Sequence, residues 1–179
     1  FTDLGVNAIW ITAPYEQISG FVGGGDNGDF ENYAYHGYYP LDFTNMDANM
    51  GTLHEFETFV DTAHEQGIRI VMDIVMNHAG YQTILDMDKF DFGGKKAGFD
   101  PNWTSPQGNW GDYHNFIDYD GQASEWLKWW GADWVRAGLP GYTPGGTDEE
   151  TRNLDFLPDF KTESENSVGL PPILANKSD

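Results

Sequence analysis

"RIVMDIVMNH", Arg69 to His78, begins as an apolar run and closes in polar residues. Ile70, Val71, Met72, Ile74 and Val75 suit a strand covered on both faces, as in a parallel sheet. Asp73 sits inside that run, and Asn77 and His78 end it. In extended geometry Asp73 and Asn77 share a face and His78 points the other way. A buried Asp must be hydrogen-bonded or paired, so this carboxylate needs partners elsewhere in the chain.

Upstream, "VNAIWITAP" (Val6 to Pro14) is a second short, β-branched apolar run. Between the two runs, Thr52 and Glu55 have the spacing of a capping box. Leu53, Phe56, Phe59, Val60 and Ala63 then line one face of a helix that Gly67 stops. Strand, crossover helix and strand make a βαβ unit. The link from about Tyr15 to Gly51 is long, because compact α/β units join strand to helix with about 2 to 6 residues. Insertions of that size usually carry function, and this one is rich in Gly and aromatics.

Beyond His78 the texture becomes irregular. Gly80 to Gly121 reads as loop with scattered Trp, Tyr, Phe and Asp. "SEWLKWWGADWVRAG" reads as one helix, with Trp126, Trp130 and Trp134 at every fourth position, most simply as core, and Gly138 as its cap. Pro, Gly, Thr and acidic residues dominate from Leu139 to Asp179. The expected plan is an α/β core over residues 1–79 and an irregular lobe over 80–179. Both ends look cut: Phe1 and Leu4 read as the last turn of a helix stopped by Gly5, and "ILANKSD" carries no closing element.

The chain has 179 residues, with 9 basic against 29 acidic and a net charge of −20. That balance argues against nucleic acid and anionic membranes, which are bound through positive side chains. It suits a neutral ligand or a cation. No stretch reaches the roughly 18 apolar residues of a spanning helix. With no cysteine, disulfides and thiolate metal sites are excluded. The glycosylation-like triplets at Asn102 and Asn176 are short enough to be chance.

Ligands of α/β sheets gather at the carboxyl ends of the strands, where Asp73, Asn77 and His78 lie. A plainer reading makes Asp73 a carboxylate gripping loop amides, with Asn77 and His78 at the surface. "YAYHGYYPLD" surrounds His36 with four tyrosines, whose flat faces and polar tips suit sugar rings or a packed loop. Asp26, Asp29 and Glu31, and likewise Asp86, Asp88 and Asp91, are hard oxygen ligands that fail the helix-loop-helix calcium spacing. The glycine run at 23–25 lacks the Lys and Ser/Thr of a phosphate loop.

Together these pieces resemble the alpha-amylase family of glycoside hydrolases (family thirteen). "GVNAIWITAP" is similar to its second barrel strand, "AYHGYYPLDFTNMDANMGT" to the loop that follows, and "GIRIVMDIVMNH" to the third strand. "FLPDFKTES" resembles a leucine-proline-aspartate motif in the lobe inserted after that strand. "GGGDNGDF" and "WWGADWVR" look most like the periplasmic bacterial members. The resemblance implies an α/β fold: part of a (β/α)8 TIM barrel, its second and third strands, followed by the inserted lobe.

It further implies that Asp73 is a structural carboxylate beneath the active site. Tyr38 would stack under the sugar being cleaved, with Tyr39 beside it, His36 supporting the loop and His78 bonding sugar hydroxyls. Asn77 and Asp159 would be ligands of a structural Ca2+ that staples lobe to barrel. The implied substrate is an α-glucan or maltodextrin, the implied reaction retaining hydrolysis of α-1,4 bonds by two carboxylates. The implied setting is periplasmic or extracellular, and the protein a monomer. In the family those carboxylates follow later strands, so they are expected beyond Asp179 and the isolated segment is expected to be inactive. Transglycosylation or isomerisation of α-glucosides, or non-catalytic maltodextrin binding, stay open as alternatives.

Overall fold

The computed structural model describes residues 1–105, 107–119, 123–137, 157–162 and 168–175. A 3-10 turn, Thr2–Leu4, ends at Gly5 and leads into strand β1, Ala8–Ile11. The long connection is not merely loop. It holds four short strands: β2 (Tyr15–Gln17), β3 (Val22–Gly24), β4 (Phe30–Asn32) and β5 (Pro40–Met46). β2 pairs antiparallel with β5 through two register shifts, and β3 with β4.

Helix α1, Leu53–Glu65, begins as its capping box requires. The Thr52 hydroxyl accepts from the Glu55 N–H, and the Glu55 carboxylate accepts from the Thr52 N–H at 2.8 Å. Strand β6, Arg69–Met72, then runs parallel to β1, with Ala8 opposite Arg69 and Ile11 opposite Met72. The βαβ unit is present.

Its burial differs from expectation. Trp10 is 73% exposed, and Val71, Met72, Ile74 and Met76 are exposed as well. β1 and β6 form a two-stranded sheet among the described residues, so their apolar side chains lack the neighbours that a parallel sheet supplies. Of α1, only Ala63 is buried.

The packed core lies at the other end. Ile18 and Leu41 from the insertion close on Ala79, Ile117, Trp126 and Trp129. Here the loop-like 80–121 region contains helix α2, Ile84–Phe90, and a 3-10 helix, Trp110–Phe116. The single tryptophan helix is also not found. The segment gives α3 (Ala123–Leu127), α4 (Gly131–Trp134) and strand β7 (Val135–Ala137), which pairs with β8 (Asp159–Phe160). Gly131 takes a left-handed φ of 52°, which breaks the helix, and Trp126, Trp129 and Trp130 are all buried. Gly138 lies outside the described residues, as does Asn176. A last short helix, α5, spans Pro172–Ala175.

Asp86 ties the insertion to the start of α2. Fully buried, its carboxylate accepts the Ser19 N–H at 3.0 Å and the Thr83 hydroxyl, while Thr83 caps α2. Burial raises its pKa above the ordinary 3.8, against the pull of those hydrogen bonds. Replacing it by alanine leaves the Ser19 N–H without its acceptor. Asp86→Ala should lower the unfolding free energy in urea by about 2–3 kcal/mol. The folded state holds the Asp86 proton more tightly than the unfolded chain. Its contribution to stability therefore falls as pH rises through the window above 3.8. Urea titrations of wild type and Asp86→Asn should differ increasingly in favour of Asn across that window.

Candidate functional site

The site is assembled from the aromatic loop, the polar end of the strand and the distant β8 segment. The loop turns at Ala34–Gly37, where the Gly37 N–H donates to the Ala34 carbonyl at 2.9 Å. Gly37 has φ 81°, and a Cβ there would come within 3.1 Å of the Ala13 backbone. Only glycine combines that conformation with so close an approach. The turn delivers His36, Tyr38 and Tyr39 to the end of the β1–β6 sheet.

Tyr38 joins the loop to the strand end twice. Its hydroxyl donates to Asp73 Oδ2 at 2.9 Å, and its carbonyl oxygen lies 3.0 Å from His78 Nε2. The residue remains 41% exposed, with the His36 ring stacked on its own at 5.4 Å between centroids. His36 Nδ1 accepts the Tyr38 N–H at 2.9 Å, so the free loop carries a neutral imidazole. Tyr39 sets its ring edge-on to His36 and to Tyr81, and its N–H donates to Gln17 Oε1 at 2.8 Å.

Asp73 lies just past β6, its N–H donating to the Ile11 carbonyl. The Val75 N–H donates to the Tyr15 hydroxyl at 2.6 Å, which ties the segment to β2 after the ladder has ended. His78 is 7% exposed and is bridged to Asp159. The Ala79 N–H donates to Pro158, and the Phe160 N–H to the Asn77 carbonyl at 2.9 Å. Asn77, exposed, directs Nδ2 at His78 Nδ1 at 3.3 Å, which turns its Oδ1 elsewhere. Asp159 is 8% exposed. Gly80 permits the crossing that follows: a Cβ there would meet the Tyr39 carbonyl at 2.6 Å.

All seven residues singled out from the sequence (His36, Tyr38, Tyr39, Asp73, Asn77, His78 and Asp159) thus come together. Tyr15 and Gln17, which hold Val75 and Tyr39, were not singled out. The signal available was only two polar-tipped side chains directly after an apolar strand.

Burial lowers the pKa of both His36 and His78. For His78 the Tyr38 carbonyl and the nearby Asp159 charge oppose that shift. The Asp73 hydrogen bond raises the pKa of Tyr38. The neutral His36 imidazole, a phenol held by a carboxylate and an exposed aromatic face can bind a polyhydroxyl ring by stacking and hydrogen bonds, whereas both ring nitrogens of buried His78 are already engaged.

The description "Alpha amylase, catalytic domain" matches residues 1–115. The chain belongs to the alpha-amylase family. It is 48% identical over 98% of its length to the periplasmic alpha-amylase of Escherichia coli (strain K12), of which it spans 28%. Over 44% of its length it is 41% identical to the cyclomaltodextrin glucanotransferase of Bacillus licheniformis, covering 10% of that protein. Among solved structures, a gamma-cyclodextrin glucanotransferase of alkalophilic Bacillus clarkii aligns over 89% of this chain and 19% of its own, with 24% identity and a TM-score of 0.48.

In this alpha-amylase-family chain, protonating His36 would remove the acceptor of the Tyr38 N–H. Its folded pKa is lowered, so the stability it contributes is complete above the ordinary 6.5 and is lost as pH falls below it. The unfolding temperature should therefore drop between pH 7 and pH 5, and drop less in His36→Gln. Thermal unfolding by circular dichroism at both pH values checks this.

Proposed function

We propose that the chain forms one wall of the substrate cleft of a retaining alpha-amylase, which cleaves α-1,4 bonds of starch or maltodextrins. Residues 1–79 are assigned to the early (β/α)8 barrel and 80–179 to the inserted lobe, in a periplasmic or extracellular monomeric enzyme. The observation that carries the reading is Tyr38, held by Asp73 on one side and by His78 on the other. Family membership gives that constellation its chemistry, and the match to a periplasmic alpha-amylase over 98% of this chain supports the compartment. Among the described residues no helix is long and apolar enough to cross a membrane.

In this reading Tyr38 stacks under the sugar ring at the bond to be broken, with Tyr39 beside it and His36 setting the loop. His78 holds Tyr38 through its carbonyl and lies next to the ring hydroxyls. Asp73 positions the Tyr38 hydroxyl and is not the nucleophile. The attacking carboxylate and the acid/base are assigned to sequence beyond Asp179. Contacts that tighten as the ring flattens toward an oxocarbenium ion lower the barrier.

The polar bridge suits Ca2+ as a structural ligand. Asn77 offers an amide oxygen turned away from His78, and Asp159 a nearly buried carboxylate in the neighbouring register. Both are hard oxygen donors of the kind calcium prefers. Among the described residues no three His, Cys, Asp or Glu converge, so further ligands would be carbonyls or lie elsewhere. Bound there, the ion would fasten strand end to lobe.

A transglycosylase is the second reading, favoured by the identity to the cyclomaltodextrin glucanotransferase of Bacillus licheniformis over the stretch that match covers. Product analysis on maltoheptaose separates the two: linear short products support hydrolysis, whereas cyclic or longer products support transfer. In the full-length protein Tyr38→Phe should lower kcat about tenfold with a smaller change in KM. An unaltered kcat would remove the bond between Asp73 and the Tyr38 hydroxyl from its positioning role, since phenylalanine keeps the stacking ring. Chelation with EGTA should lower the unfolding temperature by about 5 °C or more, and Asp159→Ala should abolish that dependence. The 179-residue chain alone should release no reducing sugar from starch, and turnover by it would overturn the assignment of the missing carboxylates.

A further inference from the structure

We propose that Asn27 is a self-modifying residue, whose side chain cyclises onto Gly28 and reopens as isoaspartate, releasing the β3–β4 turn from the Trp110–Phe116 helix. Asn27-Gly28 is the only Asn-Gly pair in the chain. It lies in the turn between β3 and β4, with Asn27 exposed and Gly28 at a left-handed φ of 72°. Asn and Gly are favoured in such turns because both tolerate that region. The same pair is chemically labile, since glycine presents its nitrogen with no Cβ to shield it.

The fold leaves the reacting atoms free. Among the described residues no hydrogen bond engages the Asn27 side chain or the Gly28 N–H. In the reaction the Gly28 nitrogen attacks Asn27 Cγ and passes its proton to the departing nitrogen. The Cγ–Nδ2 bond breaks, ammonia leaves and a five-membered succinimide remains. Water then adds to one of its two carbonyls. Addition at the side-chain carbonyl gives aspartate, and addition at the main-chain carbonyl gives isoaspartate. No oxidant or further reactant is needed.

Isoaspartate lengthens the main chain by one atom, and the turn has no room for it. The Gly28 carbonyl accepts the Trp110 N–H at 2.7 Å. A Cβ on Gly28 would meet Asn109 Oδ1 at 2.5 Å and the Gly111 nitrogen at 2.8 Å, and one on Gly23 would meet that nitrogen at 2.6 Å. Turn and helix start thus touch backbone to backbone, so the added atom displaces Gly28 from Trp110. The new carboxylate also stands between Asp26 and Asp29, and like charges in one turn favour opening. At the base of the hairpin, Phe21 stays edge-on against Trp110 at 5.6 Å, which confines the release to the tip. None of this depends on the proposed catalytic reading.

The test ages the full-length protein in mildly alkaline buffer. Peptide mass spectrometry with isoaspartyl methyl transfer reads residue 27, and hydrogen exchange reads the Trp110 N–H. An exposed turn opens at little cost, so isoaspartate should form at Asn27 within about tenfold of the rate in the urea-unfolded chain. Asn102, exposed but followed by Trp103, should keep its amide. In the modified fraction the Trp110 N–H should exchange about tenfold faster or more, having lost its acceptor. Asn27→Gln needs a slower six-membered closure and should hold both readings at their starting level. Freshly purified Asn27→Asp carries the charge on an unlengthened chain and should leave Trp110 exchange within about twofold of wild type. Greater protection of Asn27 in the folded protein overturns the proposal. So does unaltered Trp110 exchange in the modified fraction, or equal acceleration in Asn27→Asp.

Discussion

The antiparallel bridge between His78 and Asp159 holds the strand end where everything else can meet it. Two backbone bonds, Ala79 to Pro158 and Phe160 to Asn77, flank it. They join segments distant in sequence, and closing so long a loop costs entropy that two hydrogen bonds do not recover alone. Side-chain packing behind the bridge supplies the rest. Phe160 lies 4.8 Å from Trp130 and 6.0 Å from Phe43, so one end of the bridge is anchored in the tryptophan core. With residues 77–79 paired, His78 is directed inward to the Tyr38 carbonyl rather than to solvent.

Around that bridge the polar groups are ordered by what each can donate or accept. Tyr38 uses its hydroxyl, carbonyl and N–H on three different partners, so moving it would break three bonds at once. Gln17 works in the same way one layer deeper: its amide group donates to the Tyr15 carbonyl and accepts from Tyr39. Gln17 is buried, where each unmet partner is costly, so its part of the network favours one geometry over its neighbours. The exposed Tyr38 ring is consequently presented on a rigid loop, which reduces the ordering cost of binding.

The βαβ unit was legible because its signals are local and independent. An apolar run, a capping box and a helical face agree with one another, and none needs distant contacts. The polar cluster at the end of β6 was legible as a place, since Asp73, Asn77 and His78 break an apolar pattern and the structure brings them to Tyr38 and Asp159. What failed was anything decided by tertiary context. Tryptophans at positions 126, 130 and 134 repeat at helical spacing, yet Gly131 interrupts the helix and Trp129 is buried as well. An indole attracted to the same core from two backbone directions leaves no periodic trace. The β2–β5 pair was hidden by its register shifts, which erase the alternation that marks a strand. The burial of β1 and β6 was overestimated because their sequence reflects a covered sheet, whereas these residues form only two strands of one.

That mismatch places the candidate site on a seam. Toward the lobe, its loop rests on residues closed around Leu41, Ala79 and Trp130, with Gly80 threading beneath Tyr39. Toward the sheet, Asp73 rests on strands whose Trp10, Val71 and Met72 still face water. A contiguous apolar surface of that kind is a place for further packing. The loop side is therefore preorganised by contacts already present, and Asp73 is held by the Tyr38 hydroxyl and the Ile11 carbonyl. Tyr38 bridges the two, with its hydroxyl on Asp73 and its carbonyl on His78.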